Sequence, residues 1–275
     1  MRLFVVGENA VEIENDRFGH GGAYIASGGS RGQALCRGDR HGPFIIMTLG
    51  KAFQAVGGRL RSREDCLIVE TFPVGLLEVN CTIVGCPETR EALVIDPGDE
   101  AEKILAALGK HRLRAVAVVL THAHFDHVGA ARDIQEAADA KVFLHRDDLP
   151  LCENLPAQSR SFGLPPPRPP EIDGFLADGG RVPFGRHEAE VIHTPGHTPG
   201  SVCLTVPVLG KVLFSGDTLF HEGIGRTDRW GGDSEKILRS IRERLFTLDD
   251  DTVVIPGHGE STTIGHEKAH NPFVD

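Results

Sequence analysis

"LTHAHFDHVGA", Leu120–Ala130, places His122, His124, Asp126 and His127 within one short stretch. Imidazole nitrogens and carboxylate oxygens are the donors that hold divalent metals, at about 2.0–2.2 Å for zinc. The preceding run "LRAVAVVL" (113–120) is apolar almost throughout and reads as a buried strand. The following "VGAARDIQEAADA" (128–140) reads as a helix. The cluster therefore lies on a loop at a strand end. Residues two apart on extended backbone face the same side, so His122 and His124 point together. Asp126 and His127 lie where the chain turns into the helix and can face a neighbouring point. One metal or two is left open by this stretch alone.

Outward from it, strands and helices alternate. "LIVETF" (67–72), "VNCTIVG" (79–85) and "EALVIDPG" (91–98) read as strands, the last ending in a Pro-Gly turn. "DEAEKILAALGK" (99–110) is an amphipathic helix with Ile104, Leu105 and Leu108 on one face and acids at its start. Further strands are "KVFLH" (141–145), "EAEVIHT" (188–194), "SVCLTV" (201–206), "KVLFSGD" (211–217) and "TVVIPGHG" (252–259). "DSEKILRSIRERLFTL" (233–248) is a helix whose apolar stripe is Ile237, Leu238, Ile241 and Leu245. The segment Cys152–Phe175, with "LPPPRPP" (164–170), reads as a long Pro-rich connection, either a substrate rim or a packed surface loop. The pattern predicts an α/β protein of sheets covered by helices.

Three more metal donors stand at strand ends: His197 in "HTPGHTPGS", Asp217 in "FSGDTLF" and His258 in "IPGHG". Pro-Gly turns on both sides of His197 hold its side chain in one place. His145, His187, His193, His221 and His266 read as structural or exposed. Arg226 and Asp228 in "GRTD" read as a buried ion pair fixing the loop, with a pocket-shaping Arg226 as the alternative.

The chain has 275 residues, 40% of them hydrophobic, which is enough for a proper core. Residues 1–65 differ in texture: they hold 12 of the 33 glycines, show no sustained periodicity and carry a net charge of +2. They are expected to be a poorly ordered Gly/Arg-rich extension, with Met47 as a possible internal start, and residues 66–275 to be one catalytic domain. The catalytic region then carries a net charge of −12 and offers no basic track for phosphates, so no nucleic-acid partner is expected. No apolar run approaches the roughly 20 residues of a membrane span, and the N-terminus is a poor signal peptide. The six cysteines follow no framework pattern. They are expected to be free thiols in a reducing cytoplasm.

"THAHFDH", "HTPGHTPGS", "FSGDTLF", "GIGRTD" and "IPGHG", in this order, resemble the metallo-β-lactamase superfamily. "ENLPAQSRSFGLP" and "TTIGHEKAHNPF" add a likeness to its compact bacterial glyoxalase II-like hydrolases. The resemblance covers roughly Leu67 to Asp275. It implies a four-layer αββα sandwich with the active site at one edge of two sheets. It also implies a ligand set: His122, His124 and His197 for a first metal; Asp126, His127 and His258 for a second; Asp217 bridging both. The implied cofactors are two divalent ions, zinc, iron or manganese. The implied activity is cleavage of a small-molecule thioester of the S-lactoylglutathione type by a hydroxide held between the metals. Asp126 and Asp217 are its candidate catalytic carboxylates. A mononuclear iron persulfide dioxygenase and a lactonase or other ester hydrolase share much of the motif set. A non-enzymatic metal-dependent binding protein is the remaining class.

Overall fold

The computed structural model describes residues 67–274 and, upstream of them, the backbone of three short strands: β1 (Tyr24–Ser27), β2 (Ile46–Leu49) and β3 (Ala52–Ala55). The rest of residues 1–66 lies outside the described residues, and with it the expected disorder of the extension.

The domain begins with β4 (Ile68–Val74), β5 (Val79–Gly85) and β6 (Glu91–Ile95). Helix α1 (Ala101–His111) leads to β7 (Arg114–Val119). A single helical turn, α2 (Phe125–Val128), and α3 (Ala131–Ala138) lead to β8 (Lys141–His145). Helices α4 (Leu149–Glu153) and α5 (Leu155–Ser161) precede β9 (Gly174–Leu176). These strands form one sheet in the order β1-β3-β2-β4-β5-β6-β7-β8-β9. The second sheet takes β10 (Arg181–Phe184), β11 (His187–His193), β12 (Val202–Thr205), β13 (Val212–Gly216), β16 (Val253–Pro256) and β17 (Thr262–Thr263) in chain order. A small hairpin, β14 (Leu219–Phe220) and β15 (Gly223–Ile224), follows β13. Helices α6 (Ser234–Ser240) and α7 (Ile264–His270) complete the chain.

Strand periodicity of two sorts the side chains into three cores. Ala92 and Val94 of β6 face Ile104 and Leu108 of α1 and Ile134 of α3 on the outer side of the first sheet. Leu93 and Ile95, one residue out of phase, face the second sheet. Across from them, Val212 and Phe214 of β13 and Val253 and Ile255 of β16 fill the same inter-sheet core. Leu213 and Val254, again out of phase, pack under Ile237, Ile241 and Leu245. Three cores between four layers make the αββα sandwich expected from the resemblance.

Two local expectations are corrected. The segment from Cys152 is not loop throughout, because α4 and α5 occupy Leu149–Ser161, each with a proline in its first turn. A proline there forfeits no intrahelical hydrogen bond, so it marks a helix start as readily as a loop. The helix expected over 233–248 keeps its buried stripe but changes form: α6 passes at Ile241 into a π-helical turn, Ile241–Leu245.

Candidate metal centre

All the expected donors converge at one edge of the sandwich. His122 and His124 follow β7, and Asp126 and His127 lie in α2. His197 arrives from the β11–β12 loop, Asp217 directly after β13, and His258 two residues after β16. β13 and β16 are parallel neighbours, so their C-terminal ends open at the same edge.

The outer nitrogens decide what the inner ones can do. His127 Nδ1–H donates to Asp96 Oδ2 at 2.9 Å. His197 Nδ1–H donates to the Arg226 carbonyl at 2.7 Å, and His258 Nδ1–H to the Leu77 carbonyl at 2.9 Å. Thr121 Oγ1 spends its proton on Asp96 Oδ2 at 2.6 Å, so at 3.1 Å it can only accept from His122 Nδ1–H. In its neutral form each of these four rings therefore turns the Nε2 lone pair inward, the tautomer that binds metal.

His124 differs: it turns Nδ1 inward, and its Nε2 is buried without a partner. His124 Nδ1 lies 3.0 Å from His122 Nε2 and 2.9 Å from His197 Nε2. His127 Nε2 lies 3.3 Å from His258 Nε2. Asp217 Oδ1 is 3.4 Å from His127 Nε2, and its Oδ2 is 3.5 Å from His197 Nε2 and 3.8 Å from His258 Nε2. Asp126 Oδ2 is 3.4 Å from His258 Nε2. Around a tetrahedral ion with bonds of about 2.0–2.2 Å, ligand atoms stand about 3.3–3.6 Å apart. Asp217 Oδ1 is also buried with no hydrogen bond. Converging lone pairs and an orphaned carboxylate oxygen fit divalent cations and do not fit a hydrogen-bonded core. His122, His124 and His197 form one set, Asp126, His127 and His258 another, and Asp217 stands between them.

The electrostatics agree. Burial, reinforced by the His197 ring, pulls His124 down to about 3. Burial and the His127 and His124 rings hold His122 well below its ordinary value. Both are neutral ligands at neutral pH. Burial also opposes charge on His127, but the Asp217 and Asp96 carboxylates outweigh it and raise this ring.

Three supporting residues were not among the candidates read from the sequence. Buried Asp96 accepts from the Thr121 amide, the Thr121 hydroxyl and His127. Buried Asp148 accepts from the amides of Ala123 and Gly200 and the hydroxyl of Thr198, which ties the His122–His124 loop to the His197 loop. Gln158 accepts from the Phe125 amide and donates to the carbonyls of Ala123 and Leu151. Asp96 alone had a legible hint, an acid between an apolar strand and Pro97-Gly98. The Arg226–Asp228 pair forms, but at 64% and 63% exposure it is not buried. Arg226 serves the centre through its carbonyl on His197.

Gly257 marks the tightest approach. A Cβ there would lie 2.2 Å from Asp217 Oδ1 and 2.8 Å from His127 Cε1. Gly257→Ala is expected to displace the Asp217 carboxylate and lower metal affinity about 10–100-fold, as loss of ligand support does. Equilibrium dialysis checks this; unchanged affinity would show that Asp217 is not held where the glycine places it.

Beside Asp126 opens a cleft of about 220 Å³, walled by Leu76 and Leu77 on one side and by Leu164–Pro167 on the other. Among the described residues, Asp99 and Asp126 are the charged side chains lining it. The Pro-rich connection thus borders the centre, as the rim reading expected.

Residues 74–258 match the family model described as the metallo-beta-lactamase superfamily. Hydroxyacylglutathione hydrolase GloC of Haemophilus influenzae is 40% identical over 214 residues, 75% of this chain and 98% of its own length. Among solved structures, TTHA1623 in a di-iron-bound form is 43% identical with a TM-score of 0.67, covering 74% of this chain and 98% of its own. BLEG-1 B3 metallo-beta-lactamase is 38% identical with a TM-score of 0.69, covering 75% and 99%. Fold, histidine clusters and relatives agree: the chain belongs to the metallo-beta-lactamase superfamily and is a metal-dependent hydrolase of that fold.

Proposed function

We propose that the protein hydrolyses small-molecule thioesters of the S-2-hydroxyacyl type, S-lactoylglutathione among them, with two divalent ions held by His122, His124, Asp126, His127, His197, Asp217 and His258. The observation that carries the metal chemistry is the convergence of imidazole nitrogens on one another and on the orphaned carboxylate of Asp217. The thioester class is supported by the likeness to hydroxyacylglutathione hydrolase GloC, and the cleft beside Asp126 offers room for a small-molecule substrate.

Divalent ions so held supply a water acidified toward neutral pH and fixed positive charge for the developing oxyanion. The chain's own residues do the rest. Asp217 reaches both sets and fixes their spacing. Asp126 lies at the cleft and orients the attacking water by accepting its hydrogen bond. Leu76, Leu77, Phe125 and the Leu164–Pro167 edge cover apolar parts of the substrate and exclude bulk water. Water gives up a proton as its oxygen adds to the acyl carbon, the carbon–sulfur bond breaks, and the thiolate that leaves takes up a proton, so the products are the free acid and the thiol. No Ser or Cys nucleophile is needed.

The test is metal analysis of the purified protein with a panel of S-lactoylglutathione, other thioesters, a lactone and a β-lactam. About two metals per chain and a clear preference for thioesters are expected. One iron per chain with oxygen uptake on glutathione persulfide, or a preference for the lactone or β-lactam, would overturn the reading.

A further inference from the structure

Histidines read from sequence as structural or exposed form a second cluster outside the centre. His221 and Glu222 are the tip of the β14–β15 hairpin, and His266 projects from α7. The rings of His221 and His266 stack at 5.0 Å with 26° between planes. Glu222 Oε1 lies 3.1 Å from His266 Nε2 and 3.9 Å from His221 Nε2. His221 Nδ1 lies 3.0 Å from Glu260 Oε1, so carboxylates stand on both sides of that ring, Glu260 behind it and Glu222 before its Nε2. That is a carboxylate–imidazole relay of the kind that orients metal-binding histidines. One helical turn beyond His266, the His270 ring lies 4.7 Å away.

The hairpin tip is built rather than loose. Glu222 holds a left-handed backbone, φ 52°, without being glycine. Its amide donates at 3.0 Å to Glu267, a fully buried carboxylate that also accepts from Thr262 and Asn271. Asn271 in turn donates to the Gly223 carbonyl. A network below the tip therefore fixes a strained residue so that its carboxylate stands between two imidazoles. A left-handed residue is what a two-residue hairpin tip requires, and here it aims the Glu222 side chain.

We propose that His221, Glu222 and His266 form an accessory site for a divalent transition-metal ion of the zinc or copper class. The ligand-atom separations of 3.1 and 3.9 Å bracket the roughly 3.3–3.6 Å of a tetrahedral site. Two imidazoles select a borderline ion over magnesium or calcium, which prefer oxygen. His270 or water completes the shell. The bound ion ties the hairpin to α7. That hairpin runs between Asp217 and Arg226, whose carbonyl positions His197, so the clamp braces the edge of the catalytic centre without touching it.

The experiment dialyses metal-loaded protein against low-micromolar Zn²⁺ and counts zinc per chain, for the parent, the His221→Ala/His266→Ala double variant and Glu222→Gln. The parent is expected to bind one zinc more than the double variant. Glu222→Gln is expected to weaken that additional site by about tenfold or more. Excess Mg²⁺ should not displace the ion. These side chains are about one-third to one-half exposed, so the variants retain the fold, which circular dichroism verifies. Equal zinc in parent and double variant overturns the proposal, as does displacement by Mg²⁺. The readout is independent of which substrate the enzyme cleaves.

Discussion

Asp217→Asn is expected to reduce thioester hydrolysis by ~10³-fold or more and to lower the metal content below that of the parent. Among the described residues, Asp217 is the carboxylate that reaches both donor sets, through Oδ1 to His127 and Oδ2 to His197 and His258. Burial alone would favour its protonated form, but the surrounding His127, His122 and His197 rings hold it well below the ordinary carboxylate range. The site is therefore built around a negative charge at this point. Asparagine preserves the shape, removes the charge and turns an amide NH₂ toward positions where a cation is needed. Metal analysis and initial rates on S-lactoylglutathione decide the matter. Near-parental rates with full metal content would show that Asp217 bridges nothing.

Asp96→Asn is expected to lower metal affinity and activity by about 10–100-fold, the usual effect of removing a partner behind a metal-binding histidine. Asp96 uses one oxygen for the Thr121 amide and the other for the Thr121 hydroxyl and His127. An asparagine keeps one acceptor and puts a donor where the other stood. That donor faces N–H or O–H groups whichever way the amide turns, leaving a buried donor unsatisfied at a cost of about 1–3 kcal/mol. His127 then loses the hydrogen bond that fixes its tautomer, and His122 loses its support through Thr121. Urea unfolding of the metal-free protein separates the stability cost from the affinity cost. A variant less stable but unchanged in metal affinity would reduce Asp96 to a structural role.

The positions of the two changes show where reading the sequence succeeds and stops. Asp217 stood out because an acid ends an apolar strand and precedes a turn. Asp96 ends an apolar strand as well, yet it serves as support and not as a candidate ligand. Asp148 lies in an ordinary "HRDDLP" stretch, and nothing local distinguishes it from Asp147 beside it. Burial separates them: Asp148 is enclosed, whereas the Asp147 side chain is 57% exposed. The His221–Glu222–His266 cluster escaped for the same reason, since its members lie 44 residues apart and meet only through a hairpin and a helix.

The sequence by itself determined the strands and helices, through apolar periods of two and 3.6, and the chemical nature of the centre, through donors placed at strand ends. Both are local properties, carried by residues within a few positions of one another. Only the tertiary structure decided which donors come together and which nitrogen each ring presents. His197 takes its orientation from a carbonyl 29 residues away and His258 from one 181 residues away. A tautomer depends on the hydrogen bond at the far side of the ring, and that partner exists only once the two sheets have packed.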